Sequence, residues 1–215
     1  MSEEKGGGGK HSVTKSRFKD PEHFFPVVID NFFSDPEMIV DYGKSLQLEP
    51  EMNSALHQPG KRSKPLWEID NILNETIVLK IMSCYYNLAY MEITWGASKL
   101  QFQEIPRFSE NKNDVRNKGW IHQDDLSIEA GEFQLAGVIY LTPDIDPDSG
   151  TSLYNMKSNK HNPIYSKDLL YRDGLFDREE HIKSQTKHEE NFVEKLRVQN
   201  IFNRLVMYDT SEWHR

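Results

Sequence analysis

The chain has 215 residues, of which 37% are hydrophobic and 28% are charged, a composition typical of one compact folded domain. Its single cysteine, Cys84, cannot form an intrachain disulfide. A secreted disulfide scaffold is therefore excluded, and a reducing, cytoplasmic compartment is expected. The net charge of -8 argues against general attraction to nucleic acid. No apolar run reaches the roughly 20 residues that a membrane-spanning helix requires.

The first segments of the chain predict a tail, a strand and a helix. Residues 1–19 combine a run of four glycines with Ser, Glu and Lys, which is typical of a flexible tail. Residues 24–30 are rich in aromatic and β-branched side chains and predict a short strand. Asp35 is a good N-cap and Pro36 suits a first helical turn, so we expect a helix from there to about Ser45.

A loop and a second helix are predicted next. Residues 49–64 mix Pro, Gly, Asn, His and Lys, a composition that favours a long loop. Apolar residues then recur mostly at intervals of three to five between about 70 and 87, which predicts a helix with one buried stripe. The members of this stripe are Ile72, Leu73, Ile77, Ile81, Met82 and Tyr85. Residues 20–90 would thus form a largely helical support.

The hydrophobic period changes to that of strands from residue 91 onward. The predicted strands are 91–95, 99–105, 120–124, 133–142, 152–156, 192–198 and 204–209. Helices followed by strands indicate an α+β fold with an antiparallel sandwich or barrel in the second half. The polar stretch at 157–190 interrupts these strands, so we interpret it as a surface insert with a short helix.

One short motif carries candidate chemistry. Residues i and i+2 of a strand share a face, so His122 and Asp124 could chelate one cation while Asp125 points away. The composition predicts roughly one His-x-acid triplet by chance, and the chain holds two. The second begins at His188 in the charged insert, where we interpret it as part of a solvated face.

The order of motifs after His122 resembles that of the Fe(II)- and 2-oxoglutarate-dependent dioxygenases, and most closely their prolyl-4-hydroxylase-like branch. In that branch a His-x-Asp strand is followed by a Tyr-Leu strand, a Gly-Gly-Thr turn and a distal histidine. The matching residues here are Tyr140-Leu141, Ser149-Gly150-Thr151 and His214, with Ser149 in place of the first glycine. The resemblance implies a double-stranded β-helix, a jelly-roll or cupin-like barrel, within one domain at 20–215 whose β-helix core spans about 91–215.

The same resemblance implies a site and a reaction. His122, Asp124 and His214 would bind Fe(II), and two imidazoles with one carboxylate leave coordination positions open for 2-oxoglutarate and O2. Decarboxylation of 2-oxoglutarate to succinate and CO2 would accompany hydroxylation of an unidentified small-molecule or peptidyl substrate. Further pocket candidates are Gln103, Tyr140 and Tyr154, although an exposed sheet face for the glutamine and structural roles for the tyrosines are the favoured alternatives.

The residue that would anchor the cosubstrate is not identified. Relatives of this branch use an Arg or Lys on a strand after the distal histidine, whereas this sequence ends at Arg215, which is predicted to face away from the metal. We expect that the sequence is a fragment. The alternatives are a cupin-like metal enzyme that does not use 2-oxoglutarate and a catalytically silent binding module. Arg204 is expected to form a structural ion pair, and Trp120 and Trp213 are expected to serve in packing.

Overall fold

The computed structural model describes residues 24–50, 60–90, 98–107, 109–111, 114, 117, 119–124, 134–158 and 178–215. The tail predicted at 1–19, the strand predicted at 91–95 and residues 159–177 of the insert lie outside the described residues. Across the described ranges, helices and antiparallel sheets occur together, which confirms the α+β class.

Three helices support the sheets from the N-terminal side of the sequence. Helix α1 spans Pro36–Ser45, α2 spans Leu66–Ile69 and α3 spans Asn71–Met82. Asp35 caps α1 as predicted, since its Oδ1 accepts the Met38 N–H at 3.1 Å. Asp70 caps α3 in the same way. In the described part of the chain, none of the helices has the length and apolar character needed to cross a bilayer.

Helix α3 is shorter and less regular in its burial than its sequence predicts. It ends at Met82 rather than near residue 87, because the next backbone bonds, from Cys84 to Ile81 and from Tyr85 to Met82, have the three-residue spacing of tight turns. Ile72, predicted in the buried stripe, is 81% exposed. Residues 73, 77 and 81, which are spaced by four, pack on the core. Ile72 is rotated about 100° around the helix axis from residue 73 and therefore points away from that core.

A small antiparallel sheet lies beside these helices. Its strands are β2 (Glu49–Pro50), β3 (Lys61–Arg62) and β4 (Gln103–Glu104), in the order β2-β3-β4. Both ends of the loop predicted at 49–64 therefore contribute strands, because long-range pairing with β4 overrides their loop-like composition. Gly60, before β3, has φ +83°, a conformation that favours glycine.

The first of two larger sheets is formed by β1 (Val27–Ile29), β8 (Arg204–Asp209) and β5 (Leu135–Tyr140), in that order. Both pairings with β8 are antiparallel, and the register of β5 and β8 runs from Leu135 opposite Asp209 to Tyr140 opposite Arg204. The N-terminal strand thus joins strands from the second half of the chain, and β8 leads directly toward His214.

The second larger sheet contains β7 (Phe192–Val198), β6 (Thr151–Met156) and β9 (Trp213–His214), in that order. A single antiparallel bridge between His122 and His214 adds residues 119–124 beyond β9. The pairing of β6 with β7 shifts by one residue between Leu153 and Tyr154, which is a β-bulge.

The two larger sheets share a buried core. Tyr140, Val206 and Tyr208 of the first sheet cluster with Leu153 and Val198 of the second. Helix α4 (Arg178–Glu189) contacts the opposite, outer face of the second sheet. The described residues form no closed barrel, so jelly-roll closure stays a prediction.

Candidate metal centre

The structure brings together two histidines that are 92 positions apart in the sequence. The His122 N–H donates to the His214 carbonyl at 2.9 Å, and the His214 N–H donates to the His122 carbonyl at 2.8 Å. Directly opposed residues of an antiparallel pair project their side chains to the same face. The two imidazole rings accordingly lie with their centroids 4.3 Å apart.

Asp124 completes the cluster from the same strand segment as His122. Its Oδ1 lies 3.9 Å from His122 Nε2, and its Oδ2 lies 3.6 Å from His214 Nε2. One ligand atom from each of the three residues lies within 4.8 Å of the others. His122 and Asp124 therefore lie on one side as predicted, although the predicted strand 120–124 is reduced to a single bridge at His122, and that bridge supplies the third side chain.

Both imidazoles are oriented by the same kind of hydrogen bond to a backbone carbonyl. His122 Nδ1 donates to the Trp120 carbonyl at 2.8 Å, and His214 Nδ1 donates to the Glu212 carbonyl at 3.0 Å. A carbonyl can only accept, so Nδ1 carries a proton in both rings, and in a neutral imidazole the lone pair then lies at Nε2. Such hydrogen bonds from the distal ring nitrogen are typical of histidines that bind metals.

The cluster has a buried side and an open side. His214 is buried, whereas the side chains of His122 and Asp124 are 43% and 38% exposed. Burial lowers the pKa of His214, and the neighbouring His122 lowers it further, while Asp124 acts in the opposite direction. The neutral imidazole that results is the form that coordinates a cation, and the open side leaves a route by which one can enter.

Tyr208 forms an aromatic wall next to His214 that the sequence analysis missed. The two rings have centroids 4.7 Å apart, and burial raises the pKa of the Tyr208 phenol above its usual value. Leu153, opposite His214 in the register, is fully buried on the same face. Alternate residues of β8 share a face, so Val206 and Tyr208 both point into the core between the sheets. This alternation is the sequence signal that could have predicted the position of Tyr208.

The chain matches one protein family over most of its length. The sequence matches, over residues 13–215, the family described as "Family of unknown function (DUF6445)". The chain belongs to this family. Comparisons with curated proteins and with solved structures found no match. The function of the site must therefore be argued from its own geometry.

The remaining pocket candidates lie in three different places. The Tyr140 hydroxyl is in the core between the sheets, where it donates to Thr151 Oγ1 at 2.7 Å, and burial raises the pKa of this phenol. Gln103 is exposed on β4, in the small sheet, where it pairs with Arg62. Neither side chain has a contact that joins it directly to the cluster among the interactions that the structure describes.

Tyr154 does not face the cluster. It pairs with Trp213, the neighbour of His214, so its side chain projects from the other face of the second sheet. There it packs with Ile121 and Phe192 in the outer core. The prediction that Tyr154 lines the pocket therefore needs correction, because one step in strand register reverses the face.

The Lys and Arg residues of strands β7 and β8, together with Arg215 directly after β9, are all paired with acidic groups. This matters because one of them could otherwise have anchored an anionic cosubstrate. The four pairs are Lys195 with Glu212, Arg197 with Glu194, Arg204 with Asp30 and Arg215 with Glu189. The structural ion pair expected for Arg204 is confirmed, and Arg215 turns away from the cluster as predicted.

The interpretation of His188 as part of a solvated face is wrong. His188 is buried in the last turn of α4, stacked on Trp120 with ring centroids 4.3 Å apart. The three-residue spacing of Ile182, Gln185 and His188 was the available signal for a buried helical face. It was obscured by the surrounding charged residues, which stay at the surface. Trp120 and Trp213 take part in ring packing, as expected.

Proposed function

We propose that the protein is a non-haem Fe(II)- and 2-oxoglutarate-dependent oxygenase that hydroxylates a small-molecule or peptidyl substrate. His122, Asp124 and His214 would be its metal ligands. The observation that carries the proposal is the convergence of one ligand atom from each of two imidazoles and one carboxylate within 4.8 Å, with both Nδ1 atoms donating to backbone carbonyls.

The donor set fits ferrous iron better than it fits the hard cations. Ca²⁺ and Mg²⁺ prefer sites made of oxygen atoms, whereas two imidazoles and one carboxylate with open positions are typical of non-haem Fe(II) oxygenases. Bound Fe(II) would supply the activation of O2 that is coupled to decarboxylation of 2-oxoglutarate. His214, buried against Tyr208, would hold the metal in a fixed direction, while the exposed sides of His122 and Asp124 would admit cosubstrate and substrate.

The strand arrangement supports the proposed double-stranded β-helix. The three proposed ligands lie at the edge of one of two antiparallel sheets with a common core, on the face that looks toward the other sheet. That is the location in which a small barrel or jelly-roll would enclose a site. The closure of the barrel is part of the proposal.

A second candidate is supported by the ion pairs of strands β7 to β9. Each basic residue of this region has an acidic partner, so none of them is free to bind the distal carboxylate of 2-oxoglutarate. A metal enzyme of cupin type that does not use 2-oxoglutarate is compatible with the same triad. So is a catalytically silent module that only binds the metal.

Succinate formation tests the proposal directly. Full-length protein prepared without oxygen would be supplied with Fe(II), 2-oxoglutarate and O2, and succinate would be measured by NMR. We expect slow release that requires all three components. His122→Ala and Asp124→Ala should each lower it by about 100-fold, because each removes a metal ligand. Asp125→Ala, which changes the adjacent carboxylate, is the matched control and should retain most activity.

The outcomes separate the candidates. Metal binding without consumption of 2-oxoglutarate would favour the cupin-type enzyme or the silent module. Equal succinate release by the wild type and both ligand variants would overturn the assignment of the site. Loss of activity in Asp125→Ala alone would show that Asp125, and not Asp124, faces the metal.

A further inference from the structure

We infer that His188 is a positioning residue that holds the metal-binding strand from the outer face of the sheet. This inference rests on the proposed metal site. His188 Nε2 lies 2.8 Å from the Ile121 carbonyl, to which it must donate because that oxygen only accepts. His188 belongs to α4, whereas Ile121 immediately precedes the ligand His122, so a helix distant in sequence fixes the peptide that enters the site.

A second contact of His188 reaches the same strand. Its ring stacks on Trp120 at an interplanar angle of 21°. The Trp120 carbonyl in turn accepts the Nδ1 proton of His122. His188 therefore restrains both residues that precede His122, and one of them sets the direction of the His122 imidazole.

The strand needs such a restraint because its regular pairing is sparse. Among the residues that the structure describes, segment 119–124 pairs with a strand only through the bridge of His122 with His214. Gln123 adds a side-chain bond to the Ser211 carbonyl at 2.5 Å. A segment with so few backbone bonds opens easily unless side chains packed on it oppose the opening.

The end of α4 contacts both ligand-bearing strands. Glu189, the residue after His188, accepts from Arg215 Nη1 at 2.5 Å, and Arg215 directly follows His214. Consecutive residues of one helix thus bind the chain next to each histidine ligand. A rigid helix end attached at both points keeps constant the separation on which chelation depends.

The test measures metal affinity and its spectrum. Co²⁺ would replace Fe(II) as the probe, because its visible absorption reports the geometry of its ligands. In His188→Phe the ring and its stacking are kept but the donor to Ile121 is lost. We expect its dissociation constant for Co²⁺ to rise about 10-fold, with altered absorption bands. His188→Gln, which restores an N–H donor near the Nε2 position, should recover most of the affinity.

Two controls separate positioning from simple destabilisation. Lys187→Ala changes the exposed neighbour of His188, and Ile77→Val trims a buried side chain of α3, far from the site. Both should bind Co²⁺ within about twofold of the wild type, since neither touches the strand. Loss of affinity in Ile77→Val equal to that in His188→Phe would overturn the inference, because general stability would then explain the effect.

A measurement on the wild type covers the case in which the His188 variants fail to fold. With ¹⁵N-labelled histidine, NMR should show His188 with its proton on Nε2, and saturating Zn²⁺ should slow the exchange of that proton. Unchanged exchange, or wild-type affinity in His188→Phe, would overturn the role of His188 alone. Absence of any metal binding by the wild type, matched by Asp124→Ala, would overturn the proposed function and this inference together.

Discussion

At the level of single residues, the two histidines of the cluster are oriented by the same local geometry. Each donates from Nδ1 to the carbonyl two positions earlier, at Trp120 and Glu212. In an extended chain these carbonyls are within hydrogen-bonding distance of the ring, so no further side chain is needed to orient the imidazole. The orientation of each ligand is therefore set by its own strand before any cation is bound.

The ion pair at the beginning of β8 is expected to contribute little to stability. Arg204 Nε and Nη2 bind the two carboxylate oxygens of Asp30 at 2.5 and 2.9 Å, and this hydrogen bonding lowers the pKa of Asp30 below its usual 3.8. Because Asp30 is largely exposed, solvent screens the pair. We expect Asp30→Asn to lower the free energy of unfolding by only about 0.5 kcal/mol, measured by urea denaturation at pH 7.

The pH dependence of this effect has a definite sign. A carboxylate with a lowered pKa in the folded state stabilises the fold above its unfolded pKa, and this contribution is lost as the pH falls below 3.8 through the folded value. The difference between wild type and Asp30→Asn should therefore shrink in acid, and also in about 1 M salt. A difference that grows in acid would contradict the assignment.

At the scale of secondary-structure elements, the turn before β6 explains the glycine of the Ser149-Gly150-Thr151 motif. A Cβ on Gly150 would overlap the Val198 carbonyl oxygen and would lie 2.7 Å from the Asn200 backbone nitrogen. Close approach of two backbones, rather than an unusual φ angle, therefore requires the glycine. This approach starts the pairing of β6 with β7, which holds Leu153 beneath the cluster.

Gly150→Ala is accordingly predicted to destabilise the protein. Backbone atoms must move to admit the methyl group, so we expect a loss of about 1–3 kcal/mol in the free energy of unfolding, measured by chemical denaturation. Gly119→Ala is the matched control, because among the described residues its Cβ would meet only the flexible side chain of Arg215. That variant should stay within about 0.5 kcal/mol of the wild type. Equal losses in the two variants would contradict the explanation.

In the molecule as a whole, the candidate site joins segments that are far apart in the sequence. Its ligands come from 119–124 and from β9, and α4 contacts the chain beside each. A cation that binds this arrangement only in the folded protein must stabilise the fold by mass action. Global stability therefore reports metal binding independently of any enzymatic activity.

Thermal unfolding provides that measurement. At 100 times its dissociation constant, Co²⁺ should add about 2.7 kcal/mol to the free energy of unfolding. For a chain of this size that corresponds to an increase in Tm of roughly 5–10 °C. Asp124→Ala should lose the increase while keeping the metal-free Tm nearly unchanged, and Mg²⁺ should have a smaller effect on the wild type. An equal increase in Asp124→Ala would place the bound cation elsewhere.

The features that depend on local periodicity were predictable from the sequence alone. The N-cap at Asp35, strands β1 and β5 to β8, and the common face of His122 and Asp124 all follow from spacing within a few residues. The same local patterns could not predict which face of the second sheet Tyr154 occupies. They also did not predict the exposure of Ile72. Apolar residues spaced by three to five cover a wider part of the helix surface than the part of α3 that contacts the core.

The assembly of the site, in contrast, depends on contacts between segments that are distant in the sequence. The position of His214 beside His122 depends on a strand pairing between residues 92 positions apart, which the sequence offered through family resemblance alone. The burial of His188 depends on the docking of a charged helix against the outer sheet face. Both are outcomes of register and packing between distant segments. Since a shift of one residue would turn the His214 side chain to the other face of its sheet, no local pattern contains that information.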